Sequence, residues 1–174
     1  MMMNDKKPRL VYGRRRGKPL SVSRTEVMEN LYPLLAIPRD ILKQDKTLSP
    51  ADIFNAPVKT LHVEIGFGNG EHLKWRMEKN PDDHFIGAEI FRDGVAAFLK
   101  SIKDEPHYNA RVWMDDALIV LNSLPDASVD FVVGYSVIHN RVLFHSYEAA
   151  LDWAFSAGAC GPGGGPTRPS AIPR

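Results

Sequence analysis

The stretch Leu61-His-Val-Glu-Ile-Gly-Phe-Gly-Asn-Gly70 decides the fold of this chain. A short apolar run, which predicts a strand, ends in an acidic residue and enters a loop with glycine at every second position. Glycine lets the backbone turn sharply and lets a ligand come close to it. Residues 71–79 follow with the pattern of a helix. A strand, a glycine loop and a helix in this order are typical of a nucleotide site at the carboxyl ends of the strands of an open α/β sheet.

The spacing of the glycines selects among nucleotides. A dinucleotide fingerprint needs G-x-G-x-x-G, but Gly66, Gly68 and Gly70 give G-x-G-x-G, and Glu71 stands where the third glycine belongs. A nicotinamide dehydrogenase is therefore the least favoured function. Glu64, two places before the first glycine, suits a cationic or amine-bearing ligand such as S-adenosylmethionine better than a pyrophosphate. The plain alternative is a strand-turn-helix whose glycines only make the turn.

Acidic residues also follow the next two predicted strands. Glu89 ends the run Phe85-Ile-Gly-Ala-Glu-Ile90 and is placed to accept the hydroxyls of an adenosine ribose. Asp115 and Asp116 follow Arg111-Val-Trp-Met114, where a carboxylate can accept from an adenine amino group. The tips of parallel strands lie on one edge of a sheet, so these acids are expected to meet. For Asp116 the alternative is capping of the helix that begins at Ala117.

The predicted elements alternate along the chain. Strands are expected at 61–65, 84–89, 111–114 and 129–133, and helices at 71–79, 94–102 and 117–122. This order predicts an α/β fold with a Rossmann-like, doubly wound parallel sheet that is truncated after the fourth strand. Four segments are expected: a basic arm at 1–24, a helical segment and linker at 25–60, an incomplete Rossmann-like domain at 61–155, and a disordered Gly/Pro-rich tail at 156–174.

Local patterns add detail outside the sheet. Ser23-Arg-Thr-Glu26 has the form of a capping box, and Pro33 is expected to kink or end the helix that follows. Residues 38–59 are interpreted as a linker that crosses to the first strand. Residues 147–155 are expected to form a short helix.

Charge is distributed unevenly along the chain. The 174 residues carry a formal net charge of +1, yet residues 1–24 hold eight basic side chains against one acidic one. A basic arm on an acidic body indicates a polyanionic partner. Arginine binds phosphate oxygens bidentately, which favours RNA contact by Arg14, Arg15, Arg16 and Lys18. A solvated, disordered tail without a partner is the alternative.

Composition restricts the class of protein further. Cys160 is the single cysteine, which excludes an intrachain disulfide framework and fits a reducing cytoplasm. No His/Cys spacing resembles a zinc site, so no metal is expected. No run approaches the ~20 apolar residues of a membrane span, and no secretory signal is recognised. A cytoplasmic monomer is expected.

Together these motifs resemble the bacterial tRNA (guanine-N7-)-methyltransferase family, from about Arg9 to Val133. The matching segments are the arm from Arg9 to Leu20, the loop Val63-Glu-Ile-Gly-Phe-Gly-Asn-Gly-Glu-His-Leu73, Phe85-Ile-Gly-Ala-Glu89 with Gly94-Val95, and Asp116-Ala117. The resemblance implies transfer of a methyl group from S-adenosylmethionine to N7 of a guanine in the variable loop of tRNA. It also implies that Glu64, Gly66, Gly68, Glu89 and Asp116 bind the cofactor and that the arm holds tRNA.

The resemblance ends after the fourth strand. The family has a Pro-Asp-Pro-Trp loop there, with a catalytic aspartate and a basic cluster, whereas this chain has Gly134-Tyr-Ser-Val-Ile-His-Asn140, with Ile138 at the aspartate position. The catalytic residue is therefore not identified, and we expect a frameshift or truncation near Val133. Two alternatives stay open: a catalytically inactive fragment that retains cofactor or RNA binding, and another Rossmann-like methyltransferase with a different substrate.

Overall fold

The computed structural model describes residues 15, 17–42, 47–105 and 109–134. These residues form eleven elements, which are α1 (Val22–Asn30), α2 (Tyr32–Leu35), α3 (Arg39–Leu42), α4 (Pro50–Phe54), β1 (Leu61–Ile65), α5 (Glu71–Lys79), β2 (His84–Ala88), α6 (Arg92–Ile102), β3 (Ala110–Trp113), α7 (Ala117–Ser123) and β4 (Phe131–Gly134). The helix predicted at 147–155 and the tail at 156–174 lie outside the described residues, as do Arg14, Arg16 and Ile138.

The four strands form one parallel sheet in the order β3-β2-β1-β4. Strand β1 pairs with β2 from Leu61–His84 to Ile65–Ala88, and with β4 from His62–Phe131 to Ile65–Gly134. The chain moves outward from β1 through β2 to β3 and then returns to the other side of β1. This reversal is the topological switch point of a doubly wound sheet. The predicted Rossmann-like α/β fold is therefore confirmed.

Two apolar clusters cover the two faces of the sheet. One unites α1, α5 and α6, and includes the apolar face of α6, which consists of Val95, Phe98, Leu99 and Ile102, each at most 2% exposed. The other unites α4 and α7 with Leu61, Val63 and Ile65 of β1. All five residues of β1 are buried because helices cover the sheet on both sides. The carboxyl edge of the sheet, where β1 ends, is where the glycine loop begins.

Two predictions about the region before the sheet are wrong. The first helix begins at Val22 after Ser21, so Ser23 and Glu26 lie inside it and do not form a capping box. Residues 38–59 are more than a linker, because they contain α3 and α4. Helix α4 has the capping box instead, formed by Ser49 and Asp52. Helix α1 ends at Asn30, before Pro33, as predicted. Pro33 lies in the first turn of α2, where an N–H has no partner within the helix, so its absence costs nothing.

Candidate functional site

The glycine loop joins β1 to α5 at the carboxyl edge. Gly66, Gly68 and Gly70 all have positive φ, at 70°, 58° and 82°. A Cβ on Gly66 or Gly68 meets nothing within 4 Å, whereas a Cβ on Gly70 overlaps the ring of Phe98. Two of the glycines therefore leave open space beside the backbone, where a ligand can approach. The third lets α5 and α6 pack closely.

Glu89 fastens this loop to the end of β2. Its carboxylate accepts a hydrogen bond from the amide of Gly68 at 2.8 Å and another from the amide of Phe91 at 2.8 Å. Glu89 is 8% exposed. A carboxylate has about four acceptor positions, so two amide donors leave capacity for the hydroxyls of a ribose. The predicted site residue thus also holds the loop in shape.

Glu64 points to the face of the sheet that α5 covers. Its Oε2 lies 2.7 Å from Nδ1 of His72, and the two side chains are 5% and 3% exposed. Its Oε1 is buried without a hydrogen-bond partner among the described residues. The carboxylate lines a small cavity, partly open to solvent, together with His62, His72 and Arg76.

The two aspartates that follow β3 have different roles. Asp116 caps α7 by accepting from the amide of Leu118 at 3.0 Å, as the capping alternative predicted. Asp115 accepts from Arg39 at 2.8 Å and from Arg15 at 3.2 Å. Partial burial acts to raise the pKa of Asp115, but the hydrogen bonds and charges of its partners outweigh burial, so that the pKa lies below its usual value.

The end of the basic arm lies against this edge. Beyond the pair with Asp115, the carbonyl of Arg15 accepts from the amide of Arg92 at 3.2 Å, and the amide of Gly17 donates to Asp93 at 3.1 Å. Lys18 is exposed. Of the predicted RNA-contacting residues, Arg15 therefore lies against the tip of β3 and the start of α6, and Lys18 is exposed one residue beyond Gly17.

A second buried polar group, His62, lies near the amino end of β1. His62 is stacked between Phe85 and Phe131, with ring centroids 4.6 Å away on each side. Nε2 of His62 lies 2.8 Å from Asp83, and Nδ1 lies 2.7 Å from a guanidinium nitrogen of Arg76. Arginine only donates, so Nδ1 accepts and Nε2 carries the proton given to Asp83. Burial lowers the pKa of His62, which agrees with a neutral ring.

Sequence patterns missed three residues that shape this edge. His72 follows the glycine loop by two positions, Asp93 lies in the first turn of α6, and Arg39 opens α3. For His72 a signal existed, because His72 and Arg76 are four residues apart and therefore lie on the same face of α5. No local signal pairs Arg39 with Asp115, since 76 positions separate them.

Comparison with known proteins agrees with this geometry. A family model described as "Putative methyltransferase" matches residues 58–135. The tRNA (guanine-N(7)-)-methyltransferase of Agrobacterium fabrum is 38% identical over 121 residues, which are 70% of this chain and 51% of that protein. The enzyme of the same name from Rhodospirillum rubrum is 40% identical over 115 residues, 66% of this chain and 45% of that protein.

A solved structure of Haemonchus contortus phosphoethanolamine N-methyltransferase 2 with S-adenosylhomocysteine aligns at a TM-score of 0.35 and 17% identity. The alignment covers 66% of this chain and 29% of the Haemonchus protein.

The doubly wound sheet, its glycine loop and the family match define the class as a Rossmann-like methyltransferase domain. Within that class the chain is homologous to the bacterial tRNA (guanine-N7-)-methyltransferases, so the predicted resemblance is confirmed. The chain spans about half the length of the curated relatives it matches.

The described part of the chain contains neither a membrane-spanning helix nor a cluster of metal-binding side chains. Among residues 15, 17–42, 47–105 and 109–134, no helix is long and apolar enough to cross a membrane. In the same ranges, no group of three or more His, Cys, Asp or Glu side chains is arranged to hold a metal ion.

Proposed function

We propose that this protein transfers a methyl group from S-adenosylmethionine to N7 of a guanine in the variable loop of tRNA. The observation that carries the proposal is the region of about 40% identity to enzymes of that name, because it contains the glycine loop and the strand tips that surround it. A tRNA substrate implies a cytoplasmic location, and the reaction as proposed requires neither a metal nor a second copy of the chain.

The residues at the carboxyl edge fit such a cofactor. The open space beside Gly66 and Gly68 admits a ligand to the backbone, and Glu89 keeps acceptor capacity for a ribose. Glu64 supplies a buried negative charge that favours an ammonium group, and Asp116 stands at the tip of the third strand. When bound, the cofactor supplies the methyl group as an electrophile.

The guanine needs little chemical help from the protein. Its N7 carries a lone pair and no proton, so the attacking atom requires no general base. The protein has to hold the two reactants in line and exclude water, which is a positioning effect.

The arm is the proposed tRNA contact. In the sequence, Arg14, Arg15, Arg16 and Lys18 concentrate positive charge in the arm, and Arg15 pairs with Asp115 at the carboxyl edge. Phosphate contacts by such residues position an RNA without reading its sequence.

The test is methylation of an unmodified tRNA transcript by the purified chain with labelled S-adenosylmethionine. The expected product is 7-methylguanosine in the variable loop, and a transcript with adenosine in place of the target guanosine is the matched control. Label in a small molecule or a protein, with none in tRNA, would instead support a different substrate. Cofactor binding in calorimetry without turnover on any tRNA would support the binding-only alternative.

A further inference from the structure

The pair formed by Glu64 and His72 has a defined hydrogen-bond direction. An ionised carboxylate only accepts, so Nδ1 of His72 donates to Oε2 across 2.7 Å. Both side chains are at least nine-tenths buried, at 5% and 3% exposure. Water competes little for such a bond, and the donor therefore determines how the carboxylate is turned.

The other carboxylate oxygen of Glu64, Oε1, makes no hydrogen bond to the described residues. Within the part of the chain that the structure describes, Oε1 of Glu64 is buried and accepts from no protein donor. A buried polar atom without a partner is costly, so a ligand group or a bound water that donates to it gains affinity. Glu64 is the second-to-last residue of β1 and precedes Gly66 by two positions. The unpaired oxygen therefore lies close to the start of the glycine loop.

Arg76 is not a substitute for His72. It lies on the same cavity, but its guanidinium donates to Nδ1 of His62 at 2.7 Å and covers the ring of Phe131 at 5.3 Å. His72 is the group in direct contact with the Glu64 carboxylate.

We propose that His72 is a positioning residue, which holds one oxygen of Glu64 so that the other accepts from the ammonium group of the methyl donor, directly or through one bound water. The inference rests on the proposed function, and it assigns to the first turn of α5 a role in recognising the amino-acid end of the cofactor. A purely structural pair would instead support the fold without any preference among ligands.

The experiment is calorimetric binding of three ligands to the whole chain and its variants. S-Adenosylmethionine and S-adenosylhomocysteine carry the ammonium group, whereas 5′-methylthioadenosine lacks it and keeps the adenosine. His72→Leu should weaken the first two ligands by about tenfold, the equivalent of about 1.4 kcal/mol, and leave methylthioadenosine within about twofold. His72→Asn, whose side-chain amide can donate from the position of Nδ1, should restore most of the affinity.

Two further variants keep the test sharp. In a Glu64→Gln background, His72→Leu should add no further loss, because the carboxylate through which His72 acts is gone. His84→Asn changes another histidine, at the amino end of β2 and so on the opposite edge of the sheet, and should leave all three affinities unchanged. If His72→Leu does not fold, judged by circular dichroism, the comparison uses His72→Asn and Glu64→Gln. His72→Asn should keep most of the affinity for the two ligands with an ammonium group, and Glu64→Gln should lose it.

Equal weakening of all three ligands by His72→Leu would overturn the inference in favour of a structural role. Unchanged affinity for S-adenosylmethionine would overturn it too. Failure of the unsubstituted chain to bind any of the three ligands would overturn the proposed function, and the inference with it.

Discussion

The carboxylates around the glycine loop differ in what holds each of them. Glu89 accepts from two backbone amides, Asp115 from two guanidinium groups and Glu64 from one imidazole. At the buried Glu64 and Glu89, hydrogen bonds to the charged group contribute about 1.5–3 kcal/mol each, more than those between neutral groups. These acids therefore shape the edge of the sheet even before any ligand is bound.

Glu89→Gln tests the double task of this residue. Glutamine keeps one acceptor oxygen but replaces the other with a donor, which faces either the amide of Gly68 or that of Phe91. We expect affinity for S-adenosylmethionine to fall by about 10–100-fold, corresponding to about 1.5–3 kcal/mol, in isothermal titration calorimetry. Affinity equal to that of the unsubstituted chain would remove Glu89 from the site.

Gly68→Ala and Gly70→Ala should have separable effects. Both place a Cβ at positive φ, which costs about 1–2 kcal/mol, but only the Cβ at position 70 also overlaps Phe98. We expect urea unfolding to show the larger loss of stability for Gly70→Ala, by about a further 1–3 kcal/mol of overpacking. Gly68→Ala should mainly reduce cofactor binding. The opposite order would contradict the division of roles between the glycines.

At the scale of elements, β1 and α5 were predictable to the residue and the segment before them was not. Residues 61–65 and 71–79 match their predicted bounds because the glycine loop separates them and Asn80-Pro81 follows the helix. Helix α4 was missed because five residues give little periodicity. Its buried face consists of Ile53 and Phe54, which pack only once the sheet has formed. The pairing of His72 with Glu64 likewise depends on how α5 lies on β1, which local sequence does not encode.

The stability of the folded chain is expected to depend on pH through the stacked His62 of β1. Burial lowers the pKa of His62 despite its bond to Asp83, and burial also lowers the pKa of His84. The folded chain thus binds fewer protons than the unfolded chain below about pH 6.5, and its stability falls as the pH drops from there. We expect the free energy of unfolding to decrease between about pH 6.5 and 5, above the range in which Asp115 titrates.

His62→Gln supplies the comparison for that measurement. The variant is expected to be less stable at every pH, since it loses the stacking on Phe85 and Phe131, but its stability should change less with pH in urea titrations. An unchanged slope would show that His62 does not cause the effect.

The whole chain is divided by charge into a basic arm and an acidic body. The carboxyl-edge location of Arg15 was not readable from the sequence, because its partners Asp115 and Arg92 are far along the chain. Composition did predict that the arm differs from the body. Exposed ion pairs such as Arg15 with Asp115 contribute little, about 0–1 kcal/mol, so a phosphate can readily replace the carboxylate.

Arg14, Arg15 and Arg16 changed together to alanine should weaken tRNA binding and flatten its salt dependence. Each lost phosphate contact lowers the slope of log K against log salt by about 0.7–0.9. The matched control changes Lys59, Lys79 and Lys103, three exposed lysines at the amino edge, and removes the same charge. If both triple variants have the same slope by filter binding, the arm is no more than part of the overall charge.

The parallel sheet also has a consequence for how the chain is made. Its central strand β1 gains its first neighbour when Ala88 has been synthesised, but its second only with Gly134, 46 residues later. At about 5–20 residues per second, roughly 2–9 s pass on the ribosome while one side of β1 has no strand to pair with. A nascent chain halted in that interval exposes one edge of β1, a strand that is fully buried in the folded chain. Chaperone binding is expected to be greatest at this stage of synthesis.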